Sequence, residues 1–391
     1  MPKDEKHEFW DTQPVPRMTE KVTEEGPMEQ KSLEDVPKEP YSIASILEWY
    51  TPDMNDEAQL EEVYKLLAEN YVEDTDSIFR FNYSKEFLRW ATTPPGYKKD
   101  WMVGVRKKSD KKVLAFISGV PCQVRVGDNS MMLCEINFLC VHKVLRSKRL
   151  APILIKEVTR RVNLCDIWQA VYTAGIELPK PVAKCQYFHR SLNPQKLVSI
   201  GFSRIPPQFQ KLQRPMDAMK RSLAVPAKPG IRGLRPMVQK DIPAVLEILR
   251  AHLAKYRIAP DLTEEDVVHW IMPRKGIIYS YVVETNGVPT DVVSFYGLPS
   301  TVLGNPQYND LKAAYCYYYA ANTVSLKDLM QDALVVARDE GFDVFNMLNV
   351  MQNMSFQPDL KFGMGDGYLR YYLYNWKFPT IEPKDLGLIM L

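Results

Sequence analysis

The sequence contains the same order of predicted elements twice. The segment "LEEVYKLLAEN" (60–70) has the apolar periodicity of an amphipathic helix, and a short helix around Trp90, a proline turn and a strand follow it. About 180 residues later, "IPAVLEILRAH" (242–252) begins the same series, which again includes a tryptophan, Trp270, before a proline turn and a strand. Because both the order and the spacing match, the sequence predicts duplication of one α/β unit.

The two predicted units account for most of the chain. Each series continues with further strands and a second helix, "APILIKEVTRRV" in the first and "LKDLMQDALVVARDEG" in the second. We therefore predict an α/β (α+β) fold in which tandem duplicated units form one compact body with pseudo-two-fold symmetry. The predicted divisions are an extended N-terminal arm (1–40), a first unit (41–205) and a second unit (206–391), with a proline-rich basic linker near 206–236.

The predicted arm is rich in proline and in charge, which is typical of a segment without its own core. It nevertheless contains Phe9 and Trp10, whose rings are costly to expose to water. We expect these rings to dock on the body. The alternative is that they are loose aromatic residues in a floppy tail.

Composition and charge argue against several classes of protein. A net charge of +2 over 391 residues is small for a nucleic-acid binder. The 6 cysteines lack zinc-ligand spacing, so we expect reduced thiols and no metal. There is no apolar run of the ~18 residues that a transmembrane helix needs. The N-terminus is too polar for a secretory signal, so we expect a cytoplasmic protein. We also expect a monomer.

A burst of positive charge follows one predicted strand. In "EINFLCVHKVLRSKRLAP" (135–152), an apolar strand ends in Lys143, Arg146, Lys148 and Arg149, and Pro152 then stands where the first turn of a helix tolerates proline. Free backbone N–H groups at a helix N-terminus bind anions, and basic side chains add charge-assisted hydrogen bonds. The sequence therefore predicts a phosphate site, with a solvated basic turn as the alternative. The glycine patterns of a P-loop and of a dinucleotide fold are absent.

Longer motifs carry a family resemblance. The run from Arg146 to Ala151 resembles the pyrophosphate loop of acetyltransferases of the GNAT superfamily, which indicates coenzyme A. "EINFLCVHK" (135–143) and "KFGMGDG" (361–367), with "YYLYNW" after it, resemble the two signature segments of the N-myristoyltransferase (glycylpeptide N-tetradecanoyltransferase) family. "FWDTQPVP", "YVEDTDSIFRFNYS", "YTAG", "YFHRSLNP" and "FYGLPST" match that family too, in order, so the resemblance spans residues 7–391.

The resemblance implies an activity, a fold and a binding site. Members transfer a myristoyl group from myristoyl-CoA, without a metal, to the N-terminal glycine amine of peptides and nascent proteins, and their fold is a tandem pair of GNAT-like units. The implied cradle for the acyl-CoA consists of His7, Glu8, Phe9, Trp10, Phe138, Leu139, Cys140, Val141, Arg146, Ser147, Lys148, Arg149, Leu150 and Ala151. Glu8 departs from the Gln or Lys that the family pattern leads us to expect.

The resemblance also implies the catalytic and peptide-binding groups. The catalytic set is Asn137, Phe138, Leu139, Thr173 and Leu391, with the backbone N–H groups of Phe138 and Leu139 as an oxyanion hole. The peptide-binding set is Tyr71, Val72, Asp74, Asp76, Phe79, Phe81, Tyr83, Tyr187, His189, Ser300, Asp366 and Gly367. Asp74 and Asp76 would suit a lysine a few residues into the substrate, unless this loop is simply a solvated acidic turn.

The last residues, "DLGLIML", are too apolar for an exposed tail. If they are buried, the carboxylate of Leu391 is buried with them, and burial would raise its pKa and improve it as a base. The resemblance implies that this carboxylate takes the proton of the substrate amine, whereas the alternative is a tail that only plugs the core. A Cys140 nucleophile is disfavoured because transfer in the family is direct.

Two other functions remain open from sequence alone. One is a GNAT-type acyltransferase with a shorter acyl chain, since the depth of a pocket is not readable from sequence. The other is a non-catalytic scaffold that binds acyl-CoA.

Overall fold

One mixed sheet of 14 strands organises residues 7–73 and 78–391, which are the residues that the computed structural model describes. The strands are β1 (Leu47–Tyr50), β2 (Phe79–Phe81), β3 (Met102–Lys107), β4 (Val113–Val126), β5 (Asn129–Val141), β6 (Ala170–Ala174), β7 (Ala183–Ser191), β8 (Leu234–Pro236), β9 (Ile258–Pro260), β10 (Ile278–Thr285), β11 (Val288–Val302), β12 (Asp310–Ala320), β13 (Val344–Leu348) and β14 (Gly363–Tyr374). The helices are α1 (Glu57–Asn70), α2 (Lys85–Thr92), α3 (Leu150–Asn163), α4 (Pro194–Ser199), α5 (Pro207–Gln210), α6 (Pro215–Ser222), α7 (Ile242–Leu253), α8 (Glu264–Asp266) and α9 (Leu326–Asp339).

The strand order shows the duplication directly. Along the sheet the order is β1-β3-β4-β5-β6-β14-β7-β13-β12-β11-β10-β8, with β2 beside β11 and β9 beside β4. Counted from the two opposite edges, the halves correspond strand for strand: β1, β3, β4, β5 and β6 on one side match β8, β10, β11, β12 and β13 on the other, and β14 matches β7. The prediction of duplicated α/β units in one body is therefore confirmed.

The two units exchange strands. The last strand of the first unit, β7, pairs with β13 of the second, and the last strand of the second unit, β14, pairs with β6 of the first. β7 and β14 also pair with each other in the middle of the sheet. Each half of the sheet is thus completed by a strand from the other half, an arrangement that local sequence periodicity does not reveal.

The two repeated tryptophans meet where the units contact each other. The Nε1–H of Trp90 donates to the carbonyl oxygen of His269 at 2.8 Å, and the Nε2–H of His269 donates to the carbonyl oxygen of Trp90 at 2.7 Å. The rings of Trp90 and Trp270 pack edge to face with centroids 5.2 Å apart. Burial lowers the pKa of His269 to about 4, so its imidazole is neutral at pH 7 and retains one N–H for this bond.

The two predicted amphipathic helices bury the faces that their periodicity indicated. Both pack against the sheet, α1 on β4 and β5 and α7 on β11 and β12. The residues concerned are Leu60, Val63, Leu66 and Leu67 in α1, and Ile242, Val245 and Leu249 in α7. Ile248, on the same predicted face of α7, is half-buried. None of the described helices is both long and apolar enough to cross a membrane.

The arm is tied to the segment around the end of β14. The hydroxyl of Tyr374 donates to Oε1 of Gln13 at 2.8 Å, and the N–H of Asn375 donates to the carbonyl of Pro14 at 2.9 Å. Farther along the arm, Gly26 and Lys377 form a β-bridge. Residues 7–40 therefore follow the body and belong to the surface around the site described below.

Candidate active site

The sheet opens between β5 and β6. These parallel strands pair only at Cys134 with Ala170 and at Glu135 with Val171. Beyond that point β5 contains a bulge, because Phe138 and Leu139 both fall between the residues that pair with Ser118 and Phe116 of β4. Phe138 adopts the left-handed conformation with φ of 55°, which turns the backbone at the bulge.

A cavity of about 970 Å³ occupies this opening. The residues of its wall that sequence analysis had selected are Trp10, Tyr71, Val72, Phe81, Tyr83, Asn137, Phe138, Leu139, Thr173, Tyr187, His189, Asp366, Gly367 and Leu391. The structure thus brings the last residue, Leu391, together with selected residues of the arm and of both units. Asp74 and Asp76 lie outside the described residues.

One part of the cavity wall is apolar and was missed as a site. Ile155, Val158 and Val162 of α3 line it together with Trp168 and Ala170. Ile155, Val158 and Val162 lie at i, i+3 and i+7 in the sequence, which is the spacing of one buried helix face, and such a face looks the same whether it packs on a core or on a ligand. This apolar wall suits an extended alkyl chain.

The last six residues run into the protein beside β9. The N–H of Arg257 donates to the carbonyl of Asp385 at 2.8 Å, and the N–H of Gly387 donates to the carbonyl of Ile258 at 2.7 Å. The N–H of Ile389 then donates to the hydroxyl of Tyr318 at 3.1 Å. Leu386, Leu388, Ile389 and Met390 are buried and Leu391 is half-buried, so the predicted burial of the tail is confirmed up to Met390 and only in part for Leu391.

Asn137 connects Leu391 to the bulge in β5. Its Nδ2 donates to an oxygen of Leu391 at 2.5 Å, and its Oδ1 accepts the backbone N–H of Phe138 at 2.9 Å. The Phe138 N–H, which the family resemblance implied as an oxyanion donor, therefore has an acceptor in this structure. It would become available to a ligand only by leaving Asn137.

The basic segment forms a 3₁₀ turn, Lys143–Lys148, directly before α3. As predicted, Pro152 lies in the first turn of α3. Two of the four cations bind the protein, since Nη2 of Arg146 donates to the carbonyl of Asn70 at 2.5 Å and Lys143 pairs with Glu73 at 2.9 Å. The sequence did not predict that the side chain of Arg146 would be held by the backbone carbonyl of Asn70.

The other two cations of the basic turn, Lys148 and Arg149, face solvent beside the N-terminus of α3. The Arg149 side chain is 82% exposed and lies 3.3 Å from the carboxylate of Glu8. In the described part of the chain no carboxylate pairs with Lys148. These two side chains can bind an anion without breaking a buried contact.

Trp10 of the arm completes a stack of three rings with Tyr172 of β6 and Tyr372 of β14. Trp10 lies on Tyr172 with centroids 5.5 Å apart and planes within 8°, and Tyr172 lies on Tyr372 with centroids 5.0 Å apart. Phe9 packs edge to face on Trp10. The stack fixes the arm beside the cavity, and Tyr172 was missed although its motif had been noticed.

His189 lies in the cavity wall contributed by β7. Its Nδ1 bonds Oδ1 of Asn346 at 2.6 Å, and its ring is stacked on that of Tyr187. Burial lowers the pKa of His189, while the bond to Asn346 opposes the shift, so the imidazole is predominantly neutral at pH 7. Nδ1–H then donates to Asn346, and Nε2 remains as an acceptor.

Several selected residues do not reach the cavity wall. Cys140 is buried, and burial raises the pKa of its thiol to about 12, which argues against a thiolate nucleophile. Phe79 and Ser300 lie in the pairing of β2 with β11. Among the acyl-CoA set, the residues outside the wall are His7, Glu8, Phe9, Cys140, Val141, Arg146, Ser147, Lys148, Arg149, Leu150 and Ala151.

Further residues of the cavity wall were not selected from the sequence. Tyr296, Leu298 and Tyr315 come from β11 and β12, and Arg370 comes from β14. Tyr296 and Leu298 lie in the motif "FYGLPST", but aromatic and apolar residues in strands are ordinary core residues, and they were not singled out for that reason. Among residues 7–73 and 78–391, no group of three or more His, Cys, Asp or Glu side chains could hold a metal ion.

Both halves of the sequence match one protein family. Residues 27–185 match "Myristoyl-CoA:protein N-myristoyltransferase, N-terminal domain", and residues 199–387 match the C-terminal domain of the same description. The sequence is 53% identical over 393 aligned residues to glycylpeptide N-tetradecanoyltransferase 1 of Arabidopsis thaliana, covering 98% of this chain and 89% of the relative. It is 51% identical to the glycylpeptide N-tetradecanoyltransferase of Dictyostelium discoideum, covering 98% and 92%.

Solved structures give the same result. The crystal structure of Saccharomyces cerevisiae N-myristoyltransferase with bound myristoyl-CoA superposes with a TM-score of 0.94 at 42% sequence identity, covering 99% of this chain and 100% of that one. A second structure of the yeast protein with bound myristoyl-CoA gives a TM-score of 0.92, covering 100% and 96%.

The contact between Gly365 and His189 generates a test of the site's geometry. A Cβ on Gly365 would lie 2.3 Å from Nε2 of His189, whereas a Cβ on Gly363 would meet nothing closer than 3.9 Å. Gly365→Ala should therefore displace the imidazole and lower the free energy of unfolding by about 1–3 kcal/mol. Chemical denaturation and the NMR titration of His189 measure both effects.

Gly363→Ala is the matched control and should leave the stability and the His189 titration at parent values. If Gly365→Ala also leaves both unchanged, the described approach of the β14 backbone to His189 is wrong.

Proposed function

The chain belongs to the myristoyl-CoA:protein N-myristoyltransferase family of acyltransferases, and we propose that it transfers the myristoyl group of myristoyl-CoA to the N-terminal glycine amine of peptides and nascent proteins. The observation that carries this proposal is the continuous cavity of about 970 Å³ at the opening between β5 and β6. It joins an apolar wall on α3, a wall of polar and aromatic residues on β7 and β14, and the last residue, Leu391.

The parts of the site divide between two substrates. The apolar wall of Ile155, Val158 and Val162 takes the acyl chain, which gains by leaving water. The wall around Tyr187, His189 and Asp366 takes the N-terminal residues of the peptide. The thioester then lies between them, near the bulge in β5.

The phosphates of coenzyme A fit the basic turn before α3. The first N–H groups of α3 and the side chains of Lys148 and Arg149 supply donors and positive charge. Glu8, which pairs with Arg149, competes with an anion for that guanidinium.

The chemistry uses residues that already contact each other. The carboxylate of Leu391 removes a proton from the glycine amine, and the bond from Asn137 holds this carboxylate in place. As negative charge develops on the thioester oxygen, the N–H groups of Phe138 and Leu139 donate to it, with Phe138 exchanging its bond to Asn137. Thr173 also lines the cavity, and we assign it a contact with the reacting groups.

The function is tested with two octapeptides that differ only in their first residue. Labelled myristoyl-CoA should yield a labelled peptide when the peptide starts with glycine and no product when it starts with alanine. Binding of myristoyl-CoA without transfer to either peptide would contradict the proposed activity and indicate a scaffold. Faster transfer from a short-chain acyl-CoA would indicate a different acyltransferase.

The double change Lys148→Ala and Arg149→Ala should weaken the binding of myristoyl-CoA. Each lost charge-assisted bond is worth about 1.5–3 kcal/mol, so the loss of two should raise the Kd at least about 100-fold. Calorimetry measures the affinity, and added salt should reduce the difference from the parent.

Glu8→Gln is the matched variant, and it should change the affinity for myristoyl-CoA in the opposite direction. It removes the competing carboxylate, so affinity should rise by up to about five-fold, as expected for an exposed ion pair worth up to about 1 kcal/mol. Equal affinities in the parent and the double variant would exclude the basic turn as the phosphate site.

Deleting Leu391, or appending a few residues after it, should slow acyl transfer strongly while affinity for myristoyl-CoA persists. Both changes move the carboxylate away from Asn137, and general-base catalysis contributes about 10²–10⁴ in rate. Single-turnover measurements isolate the transfer step. Parent rates in the folded, extended chain would show that this carboxylate is not the base.

A further inference from the structure

A second, smaller cavity lies behind Leu391. Its volume is about 40 Å³, and Leu391 belongs to its wall as well as to that of the main cavity. The polar groups in its wall include Glu135, Gln123, Asp261, Asp266, Tyr317 and Tyr318. A water molecule needs about 10–15 Å³ and two to four polar partners, so this cavity can hold two or three.

Glu135 lines this second cavity and does not line the main one. Glu135 precedes Asn137 by two residues on β5, where pairing with β4 is regular, so the two side chains leave the same face of the strand. No bond from a protein donor to the Glu135 carboxylate occurs in the described part of the chain. This is a titratable group beside the last residue that the proposed reaction has not used.

The wall of the second cavity combines buried and exposed residues. Leu388, Ile389 and Val120 belong to it and are buried. Asp261 also belongs to it, is exposed, and accepts a hydrogen bond from Ser130 at 2.8 Å. Leu391 thus shares this cavity with a solvent-exposed carboxylate that is absent from the wall of the main cavity.

Amide formation requires such an outlet. The substrate amine, with an ordinary pKa near 8, enters mainly as an ammonium and loses two protons on becoming an amide nitrogen. The leaving thiolate of coenzyme A takes one of them to become a thiol. The other must leave the Leu391 carboxylate in every turnover, when the main cavity is filled by both substrates.

We propose that the second cavity carries this proton to solvent, with Glu135 accepting it from the Leu391 carboxylate through water and releasing it toward Asp261. The inference rests on the proposed function of Leu391 as the base. It assigns Glu135 a role in resetting that base, with no contact to either substrate.

The electrostatics of Glu135 agree with such a relay. Burial raises the pKa of its carboxyl to about 7, so it can both accept and release a proton near neutral pH. The titratable groups that share its cavity are Cys122, Asp261, Asp266, Tyr317, Tyr318 and the carboxylate of Leu391. Because only ionised Glu135 can accept a proton, its contribution should be complete above its pKa and lost as the pH falls through about 7.

Glu135→Gln keeps the shape and polarity of the side chain and removes only its titration. Single-turnover transfer to a glycine-starting peptide should slow about ten-fold or more at pH 7.5, with unchanged affinity for myristoyl-CoA. The inflection near pH 7 in the parent rate profile should disappear. Glu135→Asp should restore part of the rate, and the same Glu-to-Gln change at exposed Glu247 is the control and should leave rate and profile at parent values.

A second variant tests the route without altering the carboxylate. Val120→Ile adds one methylene to the wall of the 40 Å³ cavity and should slow transfer while the protein stays folded and binds myristoyl-CoA. If Glu135→Gln and Val120→Ile both keep the parent rate and pH profile while extension after Leu391 abolishes transfer, the relay is refuted and the base stands. If extension after Leu391 leaves transfer intact, the proposed base fails instead.

Discussion

The exchange of β7 and β14 between the two units is the constraint on which the site depends. Because β14 pairs with β6 and β7 pairs with β13, the middle of the sheet belongs to neither unit alone. The opening beside β5 therefore has one wall from the first unit and another from the second. A binding site for two substrates at this junction follows from the exchange, since neither unit could enclose the cavity by itself.

Duplication gave corresponding bulges in β5 and β12, and the structure uses them differently. The bulge of β12 at Tyr317 and Tyr318 adjoins the second, smaller cavity and not the main one. Tyr319 is fully buried and bonds Asn353 at 2.8 Å. The hydroxyl of Tyr318 holds the tail through Ile389, so the second bulge supports the residue, Leu391, that reaches the first.

Local patterns predicted local structure well. The buried faces of α1 and α7, Pro152 in the first turn of α3 and the buried tail all followed from periodicity or from the cost of exposing apolar side chains. The strand exchange could not be predicted in this way, because a strand's periodicity does not name its partner. Similarly, the bond that occupies the Phe138 N–H and the clamp of Arg146 on Asn70 arise only in the folded chain.

The tail has both a structural and a proposed catalytic role. Its backbone bonds to Ile258 and Tyr318 place the carboxylate of Leu391 against Asn137. The most direct test converts that carboxylate into a carboxamide by semisynthesis, which keeps the side chain and an oxygen acceptor for Asn137 and removes only the base. Single-turnover transfer of myristoyl to a glycine peptide should fall about 100-fold or more, with myristoyl-CoA bound as tightly as before. Transfer at the rate of the free acid would show that the Leu391 carboxylate is not the base.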